Sequence, residues 1–308
     1  MDLAEKVLRA EKTLKLASEM SKEYYKEPLI ITYSGGKDSD VMLDLAEKVL
    51  KPCDFEVLNS HTSVDAPDTV YHIREVFKRL NDKGIKATVH YPKDKDGKHI
   101  TMWNLIPLKK SPPTRLIRYC CQTLKETSTP NRLCALGVRE SESTGRQGRD
   151  TFGIRGATKK EGIFFSLDHT EEVHHESQEI NDPVWDCTLI KTMKEHGDTI
   201  CNPIYDFTDS DIWDYIRQNN IKINPLYSKG YARVGCVGCP MATYRQKMKQ
   251  FADFPTYKQA YINAFQKMLD TYDEKPHGWK TGDDVFWWWI EAGKHEVKGQ
   301  MTLEDFWG

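Results

Sequence analysis

Short runs of apolar, often β-branched residues alternate with amphipathic stretches along much of the chain. The first run, residues 29–33, is followed by a Ser-Gly-Gly turn and by residues 40–50, whose apolar positions recur at helical spacing. Similar runs predict further strands at residues 55–58, 87–91, 132–138 and 199–204. Strands that alternate with helices in this way predict a parallel sheet with right-handed crossovers, and therefore an α/β fold.

The helical pattern extends the prediction to the rest of the chain. Amphipathic stretches predict helices at residues 3–25, 68–81 and 208–216, and the sequence from residue 240 onward is helical and aromatic. Residues 141–180 are rich in Glu, Gly, Arg and His with weak periodicity, which predicts a long functional loop or insertion. We therefore expect an α/β domain over residues 1–205 and a helical, cysteine-bearing region over residues 206–308.

The composition is that of a folded globular protein. Hydrophobic residues make up 39% of the 308 residues and charged residues 29%, which excludes disorder as the main state. No apolar stretch approaches the roughly 18 to 20 residues of a membrane span, and the N-terminal residues carry charges of both signs, unlike a secretory signal. A net charge of −2 excludes a global basic field. We expect a soluble, cytoplasmic protein with reduced cysteines and no membrane partner.

A glycine-rich hexapeptide lies between the first predicted strand and its helix. This glycine loop comprises Ser34, Gly35, Gly36, Lys37, Asp38 and Ser39. Glycines let the backbone approach a ligand closely, and the free N–H groups at a helix start attract phosphate. The spacing is neither that of a Walker A loop nor that of a dinucleotide-binding turn. The loop therefore predicts a phosphate cradle with a lysine beside it; the alternative is an ordinary glycine turn.

Four of the eight cysteines form two close pairs. Cys120 and Cys121 are adjacent, and Cys236 and Cys239 form a Cys-x-x-Cys motif after 114 intervening residues. Two thiolate pairs suit an iron-sulfur cluster, and we favour a [4Fe-4S] cluster. Structural zinc and metal-free buried thiols are the alternatives, although adjacent cysteines are unusual in zinc ribbons. We call these four residues the cysteine site.

The motifs and their order resemble those of a known family. The glycine loop resembles the PP-loop of the adenine-nucleotide alpha hydrolases, which have a Rossmann-like fold and cut ATP between its alpha and beta phosphates. A PP-loop followed by Cys-Cys and Cys-x-x-Cys resembles the phosphoadenosine phosphosulfate (PAPS) reductase family over residues 28–245. The match is strongest with its iron-sulfur branch, which includes adenylylsulfate reductases and the Dnd/Ssp-type DNA phosphorothioation enzymes. The resemblance implies ATP and Mg²⁺ as ligands of the glycine loop.

Two further stretches extend the resemblance. Residues 136–143 resemble the family's Gly-Val/Ile-Arg-x-x-Glu-Ser element, which implies that Arg139 contacts phosphate; a surface arginine is the alternative. Residues 58–67 resemble an Asp-Thr-x-x-Glu-x-Pro stretch, in which Thr62 would contact the nucleotide and His61 replaces the usual Asp. The resemblance thus implies Lys37, Asp38 and Arg139 as catalytic residues. Asp38 suits either Mg²⁺ binding or the helix dipole.

The resemblance also implies a reaction. Sulfonucleotide reductases of the family usually carry a nucleophilic cysteine in a Glu-Cys-Gly-Leu-His-like tail, whereas residues 301–308 contain no cysteine. We therefore expect an ATP pyrophosphatase that adenylates an acceptor for sulfur insertion. The acceptor would be a DNA phosphate or a nucleobase, and the sulfur donor a protein such as a cysteine desulfurase. The alternatives are a PAPS or adenylylsulfate reductase, and a non-catalytic nucleotide and cluster sensor.

Overall fold

The computed structural model describes residues 1–126, 128–129, 131–142, 151–154 and 199–291. Most of the predicted loop at 141–180 lies outside these residues, as do residues 301–308. The chain divides into two compact units. Unit 1 comprises Met1–Asn59, Pro67–His90 and Thr129–Val234, and unit 2 comprises Ser60–Ala66, Tyr91–Ser128 and Gly235–Gly308. The domain boundary predicted after residue 205 stays a prediction. The two units alternate along the chain, and the last change from unit 1 to unit 2 follows Val234.

Unit 1 contains a six-stranded sheet. Its strands, in chain order, are β1 (Leu29–Thr32), β2 (Phe55–Ser60), β3 (Ala87–His90), β4 (Leu133–Ala135), β5 (Phe152–Ile154) and β6 (Thr199–Cys201). The spatial order is β3-β2-β1-β4-β6-β5. Strand β1 pairs in parallel with β2 on one side and with β4 on the other, and β4 pairs in parallel with β6. The predicted parallel α/β fold is confirmed.

Four helices accompany this sheet. They are α1 (Leu3–Met20), α2 (Lys37–Val49), α3 (Pro67–Asp82) and α6 (Asp209–Gln218); α4 (Met102–Lys109) and α5 (Tyr119–Cys121) intervene in chain order and belong to unit 2. Helix α1 begins with a capping box between Asp2 and Glu5. The apolar sides of the helices and strands form one core, which includes Leu14, Ile31, Val41, Phe77 and Ile212. Burial of these apolar side chains stabilises the packing of the helices against the sheet.

One strand departs from the sequence-based prediction. Phe152–Ile154, within the predicted loop at 141–180, forms the edge strand β5 and runs antiparallel to β6. Its three residues are too few to show a period-two pattern. The predicted strands at 132–138 and 199–204 are shorter than expected, and form only β4 and β6.

Unit 2 is helical and aromatic. Its helices are α4 (Met102–Lys109), α5 (Tyr119–Cys121), α7 (Tyr244–Asp253), α8 (Pro255–Leu269) and α9 (Gly282–Glu291). Its core contains the rings of Phe251, Tyr261, Phe265, Phe286 and Trp289, several of which meet edge to face. In the part of the chain that the structure describes, no helix combines the length and the apolar character that a membrane crossing requires.

Candidate functional site

The glycine loop lies at the point where the strand order of the sheet reverses. Because β1 is flanked by β2 and β4, the segments that follow β1 and β4 meet at the carboxyl edge of the sheet, where open α/β sheets bind ligands. A Cβ atom built on Gly137, just after β4, would lie 3.5 Å from the carbonyl carbon of Asp38. The fold therefore places the Arg139 segment against the start of α2.

The backbone of the loop requires glycine at one position. Gly35 has φ +72°, and a Cβ atom there would lie 2.9 Å from Ile73 Cγ1. Ser39 closes the loop from inside: its Oγ donates to the Gly36 carbonyl oxygen at 2.7 Å and accepts the Gly36 N–H at 3.1 Å. Ser34 N–H also donates to Ser39 Oγ, at 3.3 Å. These contacts turn the loop sharply into α2.

Two cations and two carboxylates surround the start of α2. Lys37 Nζ lies 2.8 Å from Asp209 Oδ1 and 3.3 Å from Asp38 Oδ1. Arg139 Nε lies 2.5 Å from Asp38 Oδ1, and Arg139 Nη2 lies 3.2 Å from Asp209 Oδ1. The side chains of Lys37 and Arg139 are only 6% and 4% exposed, whereas those of Asp38 and Asp209 are 20% and 65% exposed. We call these four residues the charge cluster.

The charge cluster suits exchange of an anion. The hydrogen bond from Lys37 holds the pKa of Asp209 below its usual value, and Arg139 lowers it further. Asp209 is thus ionised at neutral pH, and the two carboxylates lie against two buried cations. A phosphate chain that reached the loop could take their place as the partner of Lys37 and Arg139, because the exposed Asp209 pair is readily exchanged.

A buried polar triad lies behind the loop. Tyr33 directly follows β1, Asp40 lies in the first turn of α2 and His72 lies in α3. Tyr33 Oη donates to Asp40 Oδ1 at 2.5 Å, and His72 Nε2 lies 3.0 Å from Tyr33 Oη and 3.2 Å from Asp40 Oδ1. Burial raises the pKa of Tyr33 well above its usual value, and Asp40 raises it further. The triad joins the two ends of the glycine loop to α3.

Several residues of the site were missed by sequence reasoning. From the sequence, Asp209 is only an acidic residue at the start of the helix predicted at 208–216, and it is far from Lys37 along the chain. Tyr227 Oη accepts the Lys37 N–H at 2.9 Å, and Asn224 Nδ2 donates to the Gly35 carbonyl oxygen at 2.9 Å. The only local signal for these two residues is an Asn-Pro-Leu-Tyr sequence at 224–227, which alone predicts no more than a turn.

Unit 2 brings the four cysteines together. Cys120 and Cys121 lie in α5, while Cys236 lies opposite Asp65 in an isolated β-bridge, and Val237 N–H donates to the Val64 carbonyl oxygen at 2.7 Å. The hydrogen bond with Cys121 raises the pKa of Cys120 well above its usual value, and burial and the charges of the other two cysteines raise it further. The two pairs therefore influence each other directly.

Polar residues border the cysteine site. Burial raises the pKa of Cys236 to about 11, against the effect of Lys125, which lowers it. In turn, the charges of Cys236 and Asp65 raise the pKa of Lys125. Thr62, whose contact with the nucleotide stays a prediction, belongs to unit 2. Its Oγ1 donates to Asp65 Oδ2 at 2.7 Å and lies 3.7 Å from Cys236 Sγ.

The Cys-x-x-Cys turn is supported by aromatic rings. Gly238 has φ +70°, and a Cβ atom there would lie 2.8 Å from both Phe251 Cζ and Trp289 Cη2. Its N–H donates to Gln250 Oε1 at 2.9 Å. Among the residues that the structure describes, no group of three or more His, Cys, Asp or Glu side chains is placed to hold a single metal ion. An iron-sulfur cluster requires a different arrangement from a single metal ion. Each cysteine binds its own iron atom, so the four sulfur atoms need not converge on one point.

The structure thus sorts the predicted site residues into two groups. The glycine loop and Arg139 lie in unit 1, where Asp209, Asn224 and Tyr227 join them. The cysteine site and Thr62 lie in unit 2, together with Asp65 and Lys125. The metal ligands and catalytic roles assigned from the sequence stay predictions.

Curated relatives include proteins of sulfur metabolism and proteins described only as uncharacterized. The chain is 26% identical to an uncharacterized protein of Methanocaldococcus jannaschii over 96% of its own length and 62% of that protein. A second uncharacterized protein of that organism is 23% identical, and the chain spans only 44% of it. An adenosine 5'-phosphosulfate reductase of Anoxybacillus flavithermus is 20% identical over 73% of this chain and 78% of the reductase.

Comparison with family models gives the family, whereas the similarity to solved structures is weak. A PAPS reductase from Candida auris, in a phosphate complex, is 16% identical with a TM-score of 0.43, covering 75% of this chain and 93% of that one. This similarity is too weak to carry an argument by itself. The model of the phosphoadenosine phosphosulfate reductase domain matches residues 28–242, which include both the glycine loop and the Cys-x-x-Cys motif. The chain therefore belongs to the phosphoadenosine phosphosulfate reductase family.

Proposed function

We propose that this protein is an ATP pyrophosphatase that adenylates an acceptor oxygen and so prepares it for sulfur insertion. The observation that carries the proposal is the charge cluster at the start of α2. Two buried cations, Lys37 and Arg139, lie beside a phosphate cradle, and two carboxylates lie beside the cations. A site that releases pyrophosphate needs both, because the leaving group carries several negative charges and is normally bound with Mg²⁺.

The residues of the chain divide the work. The glycine backbone lets the phosphate chain approach the start of α2 closely, and Lys37 and Arg139 neutralise the charge that builds on the leaving pyrophosphate. The acceptor oxygen attacks the alpha phosphorus, a new oxygen–phosphorus bond forms, and the bond to the bridging oxygen of the beta phosphate breaks. The acceptor then carries AMP, which is a good leaving group. A sulfur nucleophile from a donor such as a cysteine desulfurase would displace AMP.

The residues present fit the two absent groups. Asp38 and Asp209 would hold Mg²⁺, which prefers one or two carboxylates together with phosphate oxygens. The four cysteines would hold a [4Fe-4S] cluster, because they come together in unit 2 and are close enough for their charges to shift one another's pKa values. Such a cluster supplies redox and sulfur-binding chemistry when bound. The acceptor is a DNA phosphate or a nucleobase in this proposal.

A second candidate function is reduction of a sulfonucleotide. It is favoured by the adenosine 5'-phosphosulfate reductase of A. flavithermus, which matches 73% of the chain. The charge cluster would then hold the phosphates of the sulfonucleotide. The pair of carboxylates favours the pyrophosphatase. A sulfonucleotide has no pyrophosphate leaving group, so its binding would bring no Mg²⁺ for Asp38 and Asp209 to hold.

The two candidates differ in their products. Anaerobically prepared protein should convert ATP and Mg²⁺ to AMP and pyrophosphate when single-stranded DNA, duplex DNA or transfer RNA is supplied as the acceptor. With adenylylsulfate or PAPS and reduced thioredoxin, we expect no sulfite. Sulfite formation at about 1 per second or faster, without pyrophosphate from ATP, would replace the proposed function by the second candidate.

A further inference from the structure

Tyr227 places its hydroxyl group on the first amide of helix α2. The Lys37 N–H donates to Tyr227 Oη at 2.9 Å. A Cβ atom built on Gly36 would lie 3.5 Å from the same hydroxyl oxygen. The first amides of a helix are where an anion binds, because their N–H groups have no partner within the helix. The phenol therefore lies where the phosphate chain is expected.

The tyrosine is fixed in this position. Asn224, which is fully buried, donates from Nδ2 to the Gly35 carbonyl oxygen at 2.9 Å and to Thr69 Oγ1 at 3.1 Å. This anchors the segment that carries Tyr227 to the glycine loop. The ring of Trp213 meets the Tyr227 ring edge to face, with centroids 5.4 Å apart and an interplanar angle of 87°. The hydroxyl position is thus set by backbone anchoring and by ring packing together.

The hydrogen-bond inventory of the phenol leaves one donor unused. A tyrosine hydroxyl accepts through its oxygen and donates through its single proton. The oxygen accepts the Lys37 N–H and forms a second backbone hydrogen bond, with Val234. Within residues 1–126, 128–129, 131–142, 151–154 and 199–291 no acceptor is found for the proton. Burial raises the pKa of Tyr227, and the charges of Asp38 and Asp40 raise it further, so the proton stays on the phenol at neutral pH.

We propose that Tyr227 binds the substrate directly, by donating its hydroxyl proton in a hydrogen bond to a non-bridging phosphate oxygen of the nucleotide. The inference rests on the proposed function, in which the glycine loop holds the pyrophosphate portion of ATP. The Lys37 N–H donates to the same hydroxyl oxygen and so makes the hydroxyl proton a stronger hydrogen-bond donor. The phenol can therefore donate to a phosphate oxygen that lies beyond the Lys37 amide. The hydrogen bond strengthens as charge builds on the leaving pyrophosphate, so it contributes more to turnover than to ground-state binding.

Replacement of the hydroxyl tests the proposal. Tyr227→Phe keeps the ring that packs on Trp213 and removes only the donor. We expect kcat/KM for pyrophosphate release to fall about 10- to 100-fold, mostly in kcat, because a hydrogen bond to a charged group is lost. Calorimetry with pyrophosphate alone should show weaker binding. Tyr215→Phe is the matched control: Tyr215 Oη donates to Asp44 Oδ2 at 2.8 Å, and its loss should leave both quantities unchanged.

The opposite results would overturn the proposal. If Tyr227 merely occupies the Lys37 amide and leaves when substrate arrives, Tyr227→Phe will bind pyrophosphate more tightly than the wild type. Unchanged binding and turnover would show a role in packing alone. Incorporation of 3-fluorotyrosine at position 227, a stronger donor of nearly the same shape, should tighten pyrophosphate binding, and weaker binding would again contradict the proposal.

The same measurements separate this proposal from the proposed function. A wild-type protein that binds neither ATP nor pyrophosphate contradicts the proposed function itself. A wild-type protein that binds both, with a Tyr227→Phe variant that behaves identically, contradicts only the role of Tyr227. Circular dichroism and thermal unfolding of the variant identify a folding defect, and the fluorotyrosine protein then decides the question.

Discussion

The turns of the two candidate sites are supported by different kinds of side chain. In unit 1 the glycine loop is supported from behind by a polar triad, and its cations already have carboxylate partners. In unit 2 the Cys-x-x-Cys turn is supported by aromatic rings, and burial together with neighbouring groups raises the pKa values of Cys120 and Cys236.

This difference has a physical consequence for each site. The charge cluster is electrically satisfied without a ligand, so loss of one member should impair chemistry more than folding. The cysteine site must lose protons before it can bind metal, because thiolates are the ligands. Binding of the cluster should therefore depend on every cysteine. The residues of the nucleotide site should still fold when the cysteine site holds no cluster.

The largest expected effect is loss of the cluster from unit 2. Anaerobically prepared wild-type protein should contain about four iron and four sulfide per chain, and Cys236→Ser or Cys120→Ser should lose this iron and the brown colour. Iron and sulfide analysis measures the effect. Cys53→Ser, at an exposed lone cysteine, is the matched control and should keep the full content. One tightly bound zinc in place of iron would contradict the cluster assignment.

The second-largest effect should be on the rate of pyrophosphate release, with the iron content unchanged. Lys37→Ala removes a buried cation from the charge cluster, and we expect pyrophosphate release to slow about 100- to 1000-fold with unchanged iron content. Lys48→Ala is the control on the same helix, because Lys48 is 43% exposed and pairs with Asp44. A Lys37→Ala variant as active as the wild type would remove the glycine loop from the mechanism. Loss of iron in this variant would contradict the independence of the two sites.

Much of the fold and part of each site could be predicted from the sequence. The glycine loop is contiguous, so its six residues carry their own strand-to-helix context, and the cysteines are chemically distinctive even 114 residues apart. Asp209 and Tyr227 could not be found in this way, since an acidic first turn and a tyrosine in a turn occur in many proteins. Only the topology, with β4 beside β1, brings the later segments to the loop.

Two glycines test the different supports directly. Gly35 and Gly238 both have φ near +70°, and a Cβ atom at either would come within 3.0 Å of another atom. At Gly35 the closest obstacle is the flexible Ile73 side chain, whereas at Gly238 it is a set of packed rings. We expect Gly238→Ala to cost about 4 kcal/mol and Gly35→Ala about 2 kcal/mol, combining backbone strain with overpacking.

Hydrogen exchange measures these two costs locally, which avoids the assumption that the two units unfold together. Exchange should accelerate in α7 and α9 for Gly238→Ala and in α2 for Gly35→Ala. A larger cost at Gly35 would mean that Ile73 cannot move, and that the polar support of unit 1 is the more rigid of the two.

The smallest effect should come from one hydroxyl of the polar triad. Tyr33→Phe removes a donor from the buried Asp40 carboxylate, whose other oxygen has no hydrogen-bond partner among the residues that the structure describes. We expect a loss of about 1.5 kcal/mol, because the variant loses a hydrogen bond and leaves its buried partner less satisfied. Tyr25→Phe is the comparison: Tyr25 Oη lies 2.8 Å from Thr199 Oγ1 in a neutral pair, and its loss should cost about 1 kcal/mol. Urea unfolding and exchange of the first turn of α2 measure both. Equal costs would mean that the hydrogen bond from Tyr33 to Asp40 is no stronger than the one between Tyr25 and Thr199. The loop would then be held mainly by packing, as the turn of unit 2 is held by its rings.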